Sequence, residues 1–388
     1  MILINPNVAI IHDWFLKKSL SGSEQVTILL DKYLSNKFYE PDIYSIVENI
    51  SNTKYNLFGG RKINTTFIQN LPFSKTHIQN YLPLIPFAIE QLDLSDYRLI
   101  VSSSHLAAKG VLTSPSQIHI SYVHTPMRYA WDQMNIYLKQ STLSNLGFEI
   151  PLRYLFFKLR QWDFISGQRP DYLLANSSFT SQRIKKYWGL NSEVIYPPVE
   201  INRFDHTQIR EEFYLSVCRL VPNKRVDLLV KAFNKLNKTL FVVGNGPELK
   251  KLKNIANSNI HFKSNASNKE VENLMSKCRA FVYSGIEDFG IAPVEAMASG
   301  APIIALDKGG IRDTVISLND KEKEGPFNGI LFKEQNVKEI FETISWFEEK
   351  KVWKKFNSEE IRFSSEKFKP EIFTKKFDRF IKKVIKTF

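Results

Sequence analysis

The feature that most narrows the fold of this chain is a recurring pair, a short and almost wholly apolar run followed by a stretch with helical spacing. Val8–Asp13 is the first such run, and Asp42–Val47, Thr66–Ile68, Leu99–Ser102, His119–Val123 and Tyr172–Asn176 follow it. Helical patterns occupy residues 77–92 and 178–188 between them. A strand that is apolar on both sides must be covered on both faces, and strands joined through helices run parallel. The pattern therefore predicts an α/β protein with a parallel sheet between two helical layers. Tyr196-Pro197-Pro198 then interrupts it, because paired prolines continue neither a sheet nor a helix. Beyond them the series restarts with Tyr214–Arg219, Leu240–Gly244, Ile260–Lys263 and Ala280–Tyr283 as strands and residues 225–236 as a helix. Two domains are expected, residues 1–196 and 197–369. A final helical segment, 370–388, carries Phe373, Phe377, Phe380, Ile381 and Val384 on one side.

Open α/β sheets bind ligands beyond the C-terminal ends of their strands, so polar residues placed there are the candidates. His12 and Asp13 end the first run, and the loop of residues 19–24 holds Gly22 with Ser21 or Ser23 as a helix cap. Ser102-Ser103-Ser104-His105 and Lys109 follow a later run. Tyr122–Asp132 sets His124, Arg128, Tyr129, Trp131 and Asp132 directly after a buried strand, a costly arrangement unless it lines a wet site. In the second half, Arg219 and Lys224 bracket a turn at the end of its first strand, and Gly244-Asn245-Gly246-Pro247 makes a tight turn that admits a nucleotide. The densest signal is Ser284–Gly300, which reads as strand, loop, short helix and stop. Gly285 and Gly290 break the strand, Pro293 sits where a first helical turn has no donor to lose, and Gly300 ends the helix. Such a helix start seats a diphosphate. Glu287 and Glu295 flank it, and a carboxylate is the natural acceptor for a vicinal diol.

These residues resemble the retaining glycosyltransferases of family 4, which carry a Glu, seven residues, Glu motif in this setting. The resemblance implies the GT-B fold, two Rossmann-like doubly wound domains facing across a cleft, with the last helix crossing back to the N-terminal domain. It implies a nucleotide-sugar donor whose diphosphate meets Arg219 and Lys224. Glu287 is assigned to the sugar hydroxyls, Glu295 to the ribose and His124 to the sugar near its reacting carbon. Gly22, Gly244, Phe262, Phe289, Gly290 and Ile291 complete the donor-binding set. The run from His124 to Asp132 is similar to mannosyltransferases of O-antigen and exopolysaccharide assembly. This points to mannose from GDP-mannose and to a glycan or lipid-linked acceptor. The leaving diphosphate needs positive charge. No Asp-x-Asp pair is present to hold a metal, so a site using Arg219, Lys224 and helix N-termini, without a metal or other cofactor, is the expectation.

The formal charge of +13 calls for anionic partners, and residues 351–388 alone hold 12 Lys or Arg against 5 Asp or Glu. Basic residues lie at strand ends rather than on one exposed sheet or helix, which argues against nucleic acid. No run is long and apolar enough to cross a bilayer and Met1–Pro6 lacks the layout of an export signal, so a cytoplasmic protein is expected. Residues 148–165 interleave aromatics with Arg153, Lys158 and Arg160. Such a stretch fits an interfacial helix on anionic lipid and equally a core helix with snorkelling basic ends. The lysines of the last helix are a second route to peripheral membrane contact. Cys218 and Cys278 lack metal spacing and read as reduced buried thiols. A dehydrogenase is excluded by the absence of Gly-x-Gly-x-x-Gly after the first strand. An epimerase of the same fold and a non-catalytic nucleotide-sugar-binding protein remain as alternatives.

Overall fold

The computed structural model describes residues 6–16, 22–50, 57–140, 144–320 and 326–387. Two compact units emerge, Met1–Pro197 with Phe373–Phe388, and Pro198–Ile372. The loop before Gly22, including Ser21, and Met1–Asn5 lie outside the described residues.

The first unit runs β1 (Val8–Phe15), α1 (Gly22–Lys37), β2 (Asp42–Glu48), β3 (Ile63–Thr65), α2 (Ile85–Glu90), β4 (Leu99–Ser104), β5 (Ile118–Val123), α3 (Met134–Gln140), α4 (Glu149–Gly167), β6 (Tyr172–Ala175), α5 (Ser178–Trp188) and β7 (Glu193–Val194). The second runs β8 (Phe213–Val217), α6 (Val226–Leu236), β9 (Thr239–Val243), α7 (Leu249–Ile255), β10 (Ile260–Lys263), α8 (Asn268–Lys277), β11 (Ala280–Tyr283), α9 (Ile291–Ala298), β12 (Ile303–Leu306), α10 (Ile311–Thr314), β13 (Gly329–Phe332), α11 (Val337–Glu349) and α12 (Ser358–Ser364). A last helix, α13 (Pro370–Thr387), starts in the second unit and continues into the first.

Strand order is β3-β2-β1-β4-β5-β6-β7 in one sheet and β10-β9-β8-β11-β12-β13 in the other. Every pairing in both is parallel. In each sheet the order reverses once, between β1 and β4 and between β8 and β11. At such a reversal the loops on either side part and leave a crevice at the carboxyl ends of the strands.

The first sheet is covered on one side by α1 and α13, through Val26, Leu30 and Leu34 on the former and Phe373, Phe377, Phe380, Ile381 and Val384 on the latter. Tyr33 and Lys37 of α1 both bond Asp378 Oδ1, at 2.8 and 2.5 Å, and so fix α13 in place. On the other side Ile85, Ala88, Ile89, Phe156 and Leu159 fill the layer beneath α2 and α4. The second sheet is covered by α6 and α11 through Leu229, Phe233, Ile340, Ile344 and Phe347.

Two local expectations are corrected. The third strand is Ile63–Thr65 rather than Thr66–Ile68, because Thr66 accepts from the Ile68 N–H and caps a 3-10 turn over Phe67–Asn70. Residues 77–92 form a 3-10 turn (Ile78–Tyr81) and then α2, not one helix. Pro83 and Pro86 lack the donors that a continuous ladder would need. The stretch 148–165 falls largely in α4, with one face buried and the other exposed.

Candidate functional site

Both strand-order reversals collect polar residues. In the second unit, Arg219 and Lys224 follow β8 and Glu287 follows β11, its neighbour in the sheet. Lys224 Nζ forms an ion pair with Glu287 Oε1, to which the Tyr283 hydroxyl also donates. Ser284 Oγ donates to the carbonyl of Arg225 at 2.8 Å, and Gln335 Nε2 to the Ser284 carbonyl at 2.8 Å, fastening the two loops together. The Gly310 N–H reaches the Glu287 carbonyl at 2.8 Å, so the loop after β12 props the glutamate from beneath. Arg219 is exposed and has no ion pair among the described residues. The loop after β8 thus carries two cations, one of them in a cation–carboxylate pair, a pattern that fits a phosphate group and a hydroxyl group on one ligand.

Helix α9 opens at Gly290, whose φ of +94° only glycine adopts without strain, and Pro293 lies in its first turn. Phe289 is turned inward, 5.4 Å from the Phe368 ring, so only its backbone is available to a ligand. Ile291 is half-buried. Glu295 does not stand free. It pairs with Arg203 at 2.5 Å, and Arg203 also reaches Glu272 at 3.2 Å. Burial pushes the Glu295 carboxyl above the ordinary range, and Arg203 offsets only part of that. A diol bound by Glu295 would have to share it with Arg203.

Gly244 has a φ of +139°, and a Cβ there would lie 1.9 Å from the Cys218 carbonyl oxygen. The turn after β9 packs backbone to backbone against the strand end that carries Arg219, with the Leu220 N–H bonded to the Asn245 carbonyl at 2.9 Å. Gly244 is thus accounted for by packing beside Arg219. Phe262 lies in edge strand β10 opposite Val242, with its ring against the core of the unit. Burial raises the thiols of Cys218 and Cys278 to about 12 and about 11, so both stay protonated and neither is bonded to the other.

In the first unit the reversal gathers His12, Asp13, Ser103, His105 and His124 from β1, β4 and β5. Asp13 is wholly buried and accepts four backbone N–H bonds: from His105 (2.6 Å) and Leu106 (3.0 Å) at Oδ2, and from Ala107 (2.6 Å) and Ala108 (2.8 Å) at Oδ1. Burial alone would raise its carboxyl. The neighbouring His105 and His12 and the backbone donors outweigh it and hold the carboxyl below 3.8. His105 Nδ1 lies 3.0 Å from Asp13 Oδ2, though not aligned as a hydrogen bond.

His12 Nδ1 is 2.9 Å from the Ser103 carbonyl, which can only accept, so this nitrogen carries the proton. Its Nε2 is buried with no partner among the described residues. Thr27 donates to Ser103 Oγ at 2.8 Å, and Ser103 Oγ in turn is 2.9 Å from His124 Nε2. Thr27 Oγ1 also lies 2.9 Å from the Ser23 carbonyl, which can only accept, so either nitrogen of the His124 ring can carry its proton. Burial lowers the His12 imidazole to about 4, and burial with the adjacent His12 and His105 lowers that of His124 well below 6.5. Both rings are neutral near pH 7 and act as hydrogen-bonding groups, not cations. Gly22 is the first residue of α1, which also carries Thr27.

Sequence reasoning flagged His12, Asp13, His105 and Lys109 as strand-end polar residues without assigning their partners. It missed Tyr283 and Arg203, whose partners lie four and 92 residues away. It also missed a buried network in which Asp163 takes Lys109 Nζ at 2.7 Å and the indole N–H groups of Trp131 and Trp188 at 2.8 Å each. A lone Asp amid the aromatics of α4 was the available signal.

Residues 199–362 match the family model described as glycosyl transferases group 1. A curated relative, an uncharacterized glycosyltransferase of Methanocaldococcus jannaschii, is 30% identical over 192 residues, which is 48% of this chain and 47% of the relative. An alpha-1,3/1,6-mannosyltransferase of Saccharomyces cerevisiae is 27% identical, over 42% of this chain and 43% of its own length. The chain thus spans about half the length of the curated relatives it matches. Among solved structures, sucrose-phosphate synthase from Thermosynechococcus elongatus superposes with a TM-score of 0.72 at 14% identity, covering 98% of this chain and 100% of that one. Anabaena HepE in complex with UDP and glucose gives a TM-score of 0.65 at 16% identity, covering 96% and 99%. The second unit therefore carries a segment matching the group 1 glycosyl transferases, in a chain whose two Rossmann-like α/β domains have the GT-B fold of glycosyltransferases.

Proposed function

We propose that this protein is a retaining glycosyltransferase of the family 4 kind. In this reading it moves a hexose, mannose from GDP-mannose, to a glycan or lipid-linked acceptor in surface polysaccharide synthesis. The observation that carries it is the Lys224–Glu287–Tyr283 cluster at the β8/β11 reversal, with Arg219 in the same loop as Lys224. Arg219 and Lys224 take the diphosphate, whose negative charge grows as the anomeric bond lengthens, and no metal is needed for that task. Glu287 turns from Lys224 to the sugar hydroxyls as the phosphate claims the lysine. Glu295 holds the ribose, and the neutral His124 donates a hydrogen bond near the reacting carbon. Relatives named as mannosyltransferases are what supports the mannose reading.

The test is a panel of nucleotide-sugars offered to the purified protein with EDTA present, reading donor hydrolysis and transfer. GDP-mannose turnover that survives EDTA is expected, with a loss of about 30-fold or more for Arg219→Ala and Lys224→Ala, each removing a charge-assisted phosphate contact. Folded variants with undiminished turnover refute the assignment. Conversion of donor to its epimer without acceptor would favour an epimerase instead.

A further inference from the structure

Helix α4 is built with two opposed faces. Turning by about 100° per residue, it buries Phe156, Leu159, Asp163 and Ser166 along one side. On the other side stand Ile150, Tyr154, Phe157, Phe164 and Ile165, which are 80, 61, 43, 48 and 55% exposed. Their spacing confines them to an arc of roughly 100°, in which the exposed Gln161 is the one polar side chain. Arg153 and Lys158 fall at the two edges of that arc, and Lys158 Nζ lies over the rings of Tyr154 and Phe157 at 5.5 and 5.8 Å. Leu146 and Phe148, just before the helix, are also exposed, at 66 and 54%.

We propose that this face of α4 is where the protein rests on an anionic lipid surface. An apolar strip edged on both sides by cations matches a bilayer interface. The strip enters the acyl boundary and the cations meet headgroup phosphates. Glu149, paired with Arg153 at 2.7 Å, is the one exposed carboxylate of the helix. Among the described residues no helix is long and apolar enough to cross a membrane. The other basic helix, α13, is differently built: Phe373, Phe377, Phe380, Ile381 and Val384 are all buried against its own unit. Its exposed lysines have no apolar strip to insert. The inference rests on this face alone and is independent of the donor chemistry.

Co-sedimentation of the full chain with vesicles tests it, comparing phosphatidylcholine alone with phosphatidylcholine containing about 30% phosphatidylglycerol. Binding to the anionic vesicles is expected, falling by about tenfold or more in Ile150→Glu/Phe157→Glu and changing little in Lys382→Glu/Lys383→Glu. The altered positions are exposed, and unchanged far-ultraviolet dichroism and unchanged nucleotide-sugar binding by the first double variant separate this result from any failure of the transferase reading. Three results would each overturn the proposal: equal vesicle binding by that variant, loss of binding through the α13 variant instead, or no binding by the parent protein. Self-association detected by light scattering and removed by Ile150→Glu/Phe157→Glu, without vesicle binding, would assign the strip to a second copy of the chain and equally overturn it.

Discussion

Replacing Asp13 by Asn probes the turn that sets His105 and follows β4. Each carboxylate oxygen accepts two backbone N–H bonds, from residues 105 and 106 on one and 107 and 108 on the other. An amide has one oxygen and one NH2, so either flip of the new side chain points a donor at two buried donors. Each unsatisfied buried N–H costs about 1–3 kcal/mol, so the two together place the loss near 4 kcal/mol. In urea, with m of about 3 kcal/mol per M, the first unit's midpoint should fall by roughly 1.3 M with m unchanged. Amide exchange at residues 105–108 should accelerate alongside.

The sign with pH is fixed too. Asp13 has a folded value below its ordinary 3.8, so its contribution is complete above that pH and is lost as pH falls through the folded value. The gap between the parent and Asp13→Asn should therefore narrow in acid. A loss under about 1 kcal/mol at neutral pH, or a gap that does not change with pH, would refute the account of the turn.

Three further outcomes are expected. His12 and His119 are held neutral by burial, to about 4 and about 3, so the unfolded chain binds more protons below pH 6.5. Stability should then decline as pH drops from 6.5 toward those values, by about 1.4 kcal/mol per unit for each ring, and denaturant titrations at several pH values read that slope. Gly244→Ala drives a methyl into the Cys218 carbonyl and should cost about 3 kcal/mol or more, seen as a lowered thermal midpoint together with weaker nucleotide binding beside Arg219. Asp163→Asn leaves the buried Lys109 ammonium without its counter-charge and should cost about 3–5 kcal/mol in urea unfolding, with a shift in tryptophan emission as Trp131 and Trp188 lose their acceptor.

The architecture was legible because both of its signals are local. Apolar runs such as Val8–Ile11 and Ala280–Tyr283 mark buried strands whatever lies elsewhere, and the helix opening after Gly290 needs only that glycine and Pro293. Where local signals competed, reading failed: the apolar spacing of residues 77–92 resembled one helix, yet two missing proline donors were decisive. The partners of the site residues are a different matter. Lys224 and Glu287 are 63 residues apart, Arg203 and Glu295 92, and Asp13 and Ala108 95.

From its residues alone the chain determined most of its strands and helices and which polar side chains stand at strand ends. Only the tertiary structure decided that β1 lies beside β4 and β8 beside β11, and hence which of those side chains meet. It also decided which face of α4 is covered. Periodicity records how each segment divides apolar from polar surface. Strand order and helix coverage depend on how all segments bury that surface together, and the ion pairs and buried acceptors follow from that arrangement.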